Sequence, residues 1–134
     1  SISHSRGYAA AILAEGAVGI DIQHIVEKIG RIAPRFLNPE EVSAIYPDTR
    51  LEALHVYWCA KEALFKAYGK GQVDFCRHLR VLPFTYGAAG GRFSGQILKD
   101  STIRTFTLRY LRMNGHMLVW AMEKTPATPD LLLQ

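Results

Sequence analysis

The spacing of hydrophobic residues changes once along the chain, and the change separates a helical part from a strand-rich part. Between residues 24 and 68 apolar side chains recur at helical spacing, whereas from residue 75 onward they alternate with polar ones. A period near 3.6 indicates helices, and a period of two indicates strands with one buried face. Helices followed by a meander of strands predict an α+β domain with helices packed on an antiparallel sheet.

A first strand is predicted ahead of the helices, in the segment AVGIDIQ at 17–23. Its aliphatic residues fall on one face, while Asp21 and Gln23 fall on the other. The predicted helices are 24–33, a second that begins at Pro39, and a third at 51–68. Asn38 and Glu41 have the spacing of a capping box for the second helix, and Gly69 ends the third.

The remaining apolar segments predict four strands joined by turns. These strands are 75–82, 92–98, 102–110 and 115–122. GAAGG at 87–91 and Asn114-Gly115 are turn signals between them. We expect a single domain over residues 1–124 and an irregular tail over 125–134, because the tail contains two prolines.

Composition narrows the class of protein only slightly. The chain has 134 residues, 49% of them hydrophobic, which suits one packed domain. Its net charge of +4 favours an anionic partner, whether a phosphorylated metabolite, an acidic protein or nucleic acid. Cys59 and Cys76 lack metal-site spacing, and although the sequence allows a disulfide between them, we expect two reduced thiols in a cytoplasmic protein. The sequence contains no apolar run long enough to span a membrane and no recognisable signal peptide.

Glu62 is the residue that an amphipathic packing helix does not explain. On a helical wheel it falls about 20° from Leu51, beside the apolar cluster of the third helix. Lys66 lies about 40° beyond it, and Lys61 lies on the other flank. A buried carboxylate needs compensation. Either Lys66 supplies it as an i,i+4 partner, or Glu62 and Asp21 together bind a divalent cation.

Four segments in order along the chain resemble one family. They are SISHS (1–5), GIDIQ (19–23), RFLNPEE (35–41) and WCAKEALFKAYGKG (58–71). Together they resemble the motifs of the 4'-phosphopantetheinyl transferase superfamily, and SISHS is similar to a motif of its larger, two-lobed type. The resemblance implies an α+β lobe of that type, or a short form that self-associates. In the first case residues 1–16 are the end of an amino-terminal lobe.

The resemblance also implies a reaction. Enzymes of this family transfer the 4'-phosphopantetheine arm of coenzyme A to a serine of an acyl or peptidyl carrier protein, with Mg²⁺, and release 3',5'-ADP. Such carrier proteins serve fatty acid biosynthesis in the cytoplasm. Phosphoryl transfer of this kind requires charge neutralisation, alignment and removal of a proton.

Matching the motifs residue by residue gives the expected metal ligands and catalytic groups. Asp21 and Glu62 match the metal-binding carboxylates. Gln23 stands where the two-lobed enzymes have a further acidic ligand, and its amide oxygen is the third candidate ligand. Glu62, Glu41 and Lys66 are the candidate catalytic residues, and Glu41 or Glu62 is a candidate base.

The same matching gives residues expected to contact coenzyme A. Lys61 and Lys66 match lysines near its phosphates, where an ammonium suits pyrophosphate oxygens. Ser3 and His4 match phosphate-contacting positions of the two-lobed type. The expected contacts with the nucleotide are completed by the G-x-G pair, Gly69 and Gly71.

Two other functions are compatible with the residues. A module that binds coenzyme A or a carrier protein without catalysis is favoured by the neutral Gln23. A nucleic-acid module would need aromatic residues on an open sheet face. The candidates for that role are Phe75, Phe93, Phe106 and Tyr110, which we expect to pack in the core instead. We therefore expect neither a nucleic-acid nor a membrane partner.

Overall fold

A five-stranded sheet with one long helix across it organises the chain. The computed structural model describes residues 1–124, so the predicted irregular tail lies outside the described residues. The strands are β1 (Ile2–Ser5), β2 (Tyr8–Ala11), β3 (Val18–His24), β4 (Leu79–Val81), β5 (Gly91–Lys99), β6 (Thr102–Met113) and β7 (His116–Glu123). The helices are α1 (Ile29–Ile32), α2 (Pro39–Ser43) and α3 (Arg50–Tyr68), with single 3-10 turns at Ala33–Arg35 and Pro47–Thr49.

The predicted α+β class and the antiparallel meander are confirmed. The sheet has the order β3-β7-β6-β5-β4, and every neighbouring pair is antiparallel. The predicted turn at Asn114-Gly115 joins β6 to β7, with φ values of 47° and 72°. Two consecutive residues at positive φ are typical of the tight turns that match strand twist. β1 and β2 form a separate hairpin beside β3.

Gly19 sets the distance between β3 and α3. A Cβ at this position would lie 1.8 Å from the carbonyl oxygen of Ala63, so only glycine permits this packing. The helix runs one residue longer than predicted and ends where predicted, because Gly69 adopts the left-handed conformation with φ 70°. The close contact places the middle of β3 beside the last two turns of α3.

The buried face of α3 is wider than the sequence predicted. Leu54 is buried as expected, but Leu51, Trp58 and Phe65 are only half-buried. The most enclosed residues include Val56, Tyr57, Ala60, Ala63 and Leu64. The helical wheel predicted the wrong set of buried residues because α3 packs against the sheet on one side. On another side it packs against α1 and the segment that follows α3. A helix covered on several sides has no single apolar stripe.

Two predicted elements are shorter in the structure. The helix predicted at 24–33 is a single turn, since the amide of Ile25 bonds to Gly115 and that of Val26 to His55 Nε2. The strand predicted at 75–82 pairs only over Leu79–Val81. Before it, the side chain of Asp74 accepts hydrogen bonds from two following amides and closes a turn.

The aromatic residues considered as a base-stacking surface lie mostly in the core. Phe93, Phe106 and Tyr110 are at most 6% exposed, and Phe75 is half-buried. They therefore offer no open stacking face. Cys59 and Cys76 are both free thiols. Among residues 1–124, no helix has the length and apolar character needed to cross a bilayer.

Candidate functional site

Asp21 lies in the middle of β3 with 2% of its surface exposed, yet its carboxylate is surrounded by polar groups. Gln23 Nε2 donates to Oδ2 at 3.0 Å, and Ser3 Oγ donates to Oδ1 at 3.2 Å. Lys66 Nζ lies 3.2 Å from the same Oδ1. Burial raises the pKa of Asp21, and the bond from Gln23 and the charge of Lys66 offset this only in part.

The hairpin reaches the site by covering the free edge of β3. Ser1 Oγ accepts a hydrogen bond from the amide of Ile20 at 3.1 Å, and Ser3 Oγ accepts one from the amide of Ile22 at 3.0 Å. Alternate amides of an edge strand point away from its paired neighbour. Ser1, just before β1, and Ser3 within it are two residues apart and therefore match the spacing of the free amides of Ile20 and Ile22.

Lys66 joins three segments at one ammonium group. Its Nζ donates to the carbonyl of Ile20 at 2.8 Å and to that of Ile2 at 3.3 Å, in addition to Asp21. Its side chain is 28% exposed. Lys66 thus neutralises part of the charge of Asp21 and holds β1 in place, while its side chain stays partly exposed.

Glu62 is half-buried on α3, one turn before Lys66. Burial raises its pKa most, the negative charge of Asp21 raises it further, and Lys66 lowers it in part. No hydrogen bond within residues 1–124 stabilises its carboxylate. Of the two alternatives that the sequence left open, an ion pair with Lys66 is therefore not made, because Lys66 pairs with Asp21.

The two carboxylates form a minimal set of ligands for a hard cation. The pKa values of both are raised, which means that their negative charge is not fully compensated by the protein. Mg²⁺ is commonly bound by one or two carboxylates together with substrate phosphates and water. Across residues 1–124 no cluster of three or more His, Cys, Asp or Glu residues has metal-site geometry. The residues present fit a cation that takes its remaining ligands from a substrate.

Gln23 turns its amide nitrogen toward Asp21, because a carboxylate only accepts hydrogen bonds. In this arrangement the side chain supports Asp21. To bind a cation directly, its amide would have to rotate and present the oxygen.

Lys61 and Glu41 are not brought to this pair of carboxylates. Lys61 is fully buried and forms a 2.7 Å ion pair with Glu41, which is 2% exposed. This differs from the expectation that Lys61 contacts phosphate and that Glu41 acts as a base. The physical reason is that Lys61 lies about 100° around the helix from Glu62 and faces α2 and the segment before β4.

The other residues expected to contact coenzyme A lie on β1 and just after the end of α3. Ser3 lies in the site, whereas the neighbouring His4 is exposed on the opposite face of β1. Gly69 and Gly71 follow the end of α3, with φ values of 70° and 63°. An alanine Cβ at Gly71 would meet no atom within 4 Å, so conformation is the structural requirement there.

Sequence reasoning missed two residues that shape the site. The first is Gly19, which was noticed only as part of a motif, although glycine within a strand pattern signals a close backbone approach. The second is Cys59, which is fully buried on α3, with Sγ 3.6 Å from the carbonyl of Met117. Burial and the charge of Asp21 raise the pKa of this thiol. No pattern in the sequence pairs Cys59 with Asp21.

Comparison with known proteins decides the family. The model of the family "4'-phosphopantetheinyl transferase superfamily" matches residues 17–113, which include both carboxylates of the site. The chain belongs to the 4'-phosphopantetheinyl transferase superfamily. The motif resemblance is thereby confirmed, although Ser3 and His4 lie outside the matched range.

A curated relative from Synechocystis sp. is 27% identical over 136 residues. Its name is "Putative 4'-phosphopantetheinyl transferase". The match includes 97% of this chain but only 47% of the relative, so the chain spans about half the length of that protein.

Proposed function

We propose that this chain carries the catalytic carboxylates of a Mg²⁺-dependent 4'-phosphopantetheinyl transferase. The reaction would move the phosphopantetheine arm of coenzyme A to a serine of an acyl or peptidyl carrier protein and release 3',5'-ADP. One observation supports this most directly. The contact at Gly19 places Asp21 of β3 close enough to Glu62 of α3 for one negative charge to raise the pKa of the other.

The charge state of this pair suits a cation bound together with a pyrophosphate. Asp21 and Glu62 would hold Mg²⁺, with Gln23 beside them after rotation of its amide. Bound there, Mg²⁺ would neutralise the pyrophosphate and act as a Lewis acid. Lys66 is partly exposed next to Asp21 and would add a positive charge toward the phosphates.

Glu62 is also the better candidate for removing the proton of the attacking serine. Its carboxylate is only half-buried and accepts no hydrogen bond within residues 1–124, which leaves it free to accept a proton from a substrate hydroxyl. Glu41 is enclosed, and both of its carboxylate oxygens accept hydrogen bonds within the chain. We therefore assign no proton transfer to Glu41.

The proposed partner is an acidic carrier protein in the cytoplasm. The net charge of +4 on this chain would speed encounter with such a protein. Both fatty acid and peptide carriers fit this description. Self-association remains a prediction of the family resemblance, and sedimentation velocity on the purified chain would test it.

The decisive experiment measures the mass of a carrier protein after incubation with coenzyme A and this chain. We expect a gain of one phosphopantetheine in the presence of Mg²⁺ and none with EDTA. Asp21→Ala should lower the rate by about 100-fold or more, because a metal ligand is lost. Arg80→Gln serves as a surface control and should retain activity, because Arg80 is partly exposed in β4 and pairs with Glu40. Transfer that survives Asp21→Ala would refute the proposed site.

A non-catalytic module that binds coenzyme A or a carrier protein is the second candidate. The neutral Gln23, which stands where the two-lobed enzymes have an acidic ligand, favours it. Calorimetric titration with coenzyme A separates the two functions. Binding that needs neither Mg²⁺ nor Glu62, without any transfer, would support the module.

A further inference from the structure

Lys61 is the most completely enclosed charge of the described chain. Its exposure is 0%, and its Nζ donates to Glu41 Oε1 at 2.7 Å and to the carbonyl of Phe75 at 2.8 Å. Burial alone disfavours an ammonium strongly, so the pKa of Lys61 is lowered even with Glu41 beside it. A group held in this way has no free surface for a ligand.

Both carboxylate oxygens of Glu41 are likewise hydrogen-bonded within the chain. Its Oε1 also accepts a hydrogen bond from the amide of Asn38 at 2.9 Å, and its Oε2 accepts one from the amide of Val81 at 2.8 Å. The carboxylate therefore ties the start of α2 to β4, and Lys61 ties both to α3. The hydrogen bonds of the pair thus connect α2, α3, β4 and the segment before β4.

The remaining contact of Lys61 is with the connection between α3 and β4, residues 70–78. This segment has no regular structure until β4 begins. The ion pair with Glu41 fixes the position of Lys61, and Lys61 in turn holds this segment by its hydrogen bond to the carbonyl of Phe75. The buried pair thus anchors the middle of an irregular connection to a rigid helix.

Phe75 extends this anchor toward Glu62. Its ring lies 5.8 Å from that of Trp58 and 5.6 Å from that of Phe65. Trp58 is four residues before Glu62 and Phe65 is three residues after it, so all three share one face of α3. A ring that contacts both neighbours lies alongside the face that carries Glu62. Trp58 and Phe75 also line a groove of about 440 Å³.

We propose that Lys61 and Glu41 are a positioning pair, which holds Phe75 and the 70–78 segment against the Glu62 face of α3 and thereby forms one wall of the active site. The proposal rests on the proposed function for its catalytic consequence. It assigns Lys61 no contact with phosphate and Glu41 no part in proton transfer. The pair acts through Phe75.

The test removes both charges together, because loss of one would leave the other buried and could unfold the chain. The variant Lys61→Met/Glu41→Gln keeps the side-chain volumes and leaves an amide to bond the amide of Val81. The background substitution Trp120→Phe makes Trp58 the only indole in the chain. Glu40→Gln is the matched control, since Glu40 neighbours Glu41 on α2 but pairs with Arg80 at the surface.

Circular dichroism and a cooperative thermal melt first show that each variant is folded. Three measurements are then made on each folded variant. Hydrogen exchange measures the amides of residues 70–78 against those of β5, β6 and β7. Acrylamide quenching reports the exposure of Trp58. Transfer kinetics give kcat and the KM for coenzyme A.

We expect amides in 70–78 to exchange about tenfold faster or more in the double variant, with the sheet unchanged. Trp58 should be quenched more strongly, and kcat should fall about tenfold with little change in KM. Glu40→Gln should match the parent in all three. Unchanged exchange and quenching in a folded double variant would overturn the proposal, as would a rise in KM alone. If the parent shows no transfer while exchange and quenching change as expected, the proposed function fails and the positioning role stands.

Discussion

Lys61 and Glu62 are adjacent in sequence, charged and at least half enclosed, but the structure treats them in opposite ways. Lys61 is fully buried and its ammonium meets a carboxylate and a carbonyl. Glu62 is half-buried, and after burial the largest effect on its pKa comes from the negative charge of Asp21. One charge is hydrogen-bonded by the fold, and the other has no hydrogen-bonding partner among residues 1–124.

The comparison shows how a buried charge can be assigned a role. A satisfied buried pair fixes the positions of the segments it joins, and breaking it leaves an uncompensated charge. An uncompensated carboxylate destabilises the folded chain unless a cation or proton neutralises it, which is characteristic of functional sites. Hydrogen bonding, more than burial itself, therefore separates the structural lysine from the candidate ligand.

The largest effect is expected from Lys61→Met. This substitution leaves Glu41 buried without its counter-charge, which should lower the free energy of unfolding by about 3–5 kcal/mol. Urea denaturation followed by circular dichroism measures it. Adding Glu41→Gln should restore part of the loss. A change below about 1 kcal/mol in the single variant, which is typical of exposed pairs, would contradict the structural role of Lys61.

The second prediction concerns Glu62→Met, which introduces the same residue as Lys61→Met at the next position and so compares the two sites directly. Glu62→Met should abolish transfer but leave the metal-free chain as stable as the parent or more so. The reason is that burial and Asp21 raise the pKa of Glu62, so its charged form opposes folding near neutral pH. Thermal melts in EDTA beside the transfer assay measure both quantities. A clear loss of stability would show that Glu62 is structural like its neighbour.

The third effect is a pH dependence that follows from the raised pKa values of Asp21 and Glu62. Mg²⁺ binding requires both carboxylates ionised, so its affinity should weaken as pH falls, beginning above their usual pKa values of 3.8 and 4.5. Stability of the metal-free chain should have the opposite slope. Between the unfolded and folded pKa values the folded state binds more protons, so the free energy of unfolding falls as pH rises.

Calorimetry with Mg²⁺ and coenzyme A across this pH range measures the affinity, and melts in EDTA measure the stability slope. Glu62→Gln should reduce that slope, since one of the two titrating groups is gone. A slope identical to that of the parent would mean that Glu62 does not titrate in this window.

The smallest effect concerns the support of Glu41. Asn38→Ala removes the cap that accepts a hydrogen bond from the amide of Glu41 at 2.8 Å, and it should cost about 1 kcal/mol. Because Lys61 and Val81 still hold Glu41, transfer should be nearly unchanged. Equilibrium unfolding and the transfer assay together check this. A loss of transfer larger than the loss of stability would place the cap inside the catalytic machinery.

The sequence by itself determined much of the architecture through local signals. The Asn38 capping box, the glycine that ends α3 and the Asn114-Gly115 turn all form as predicted, because each depends on residues within a few positions of one another. The alternation from residue 92 onward fixed the meander. The order of four motifs was sufficient to indicate the family.

Only the tertiary structure decided what the charged residues of α3 do. Lys61, Glu62 and Lys66 are all charged and belong to one sequence motif. Helix geometry alone places each of them near an apolar surface and does not distinguish their roles. Their roles depend on partners 14 to 64 residues away, among them Glu41, Asp21, the carbonyl of Phe75 and that of Ile2. A one-dimensional period carries no information about such partners, because it describes which side of a helix is covered and not which group covers it.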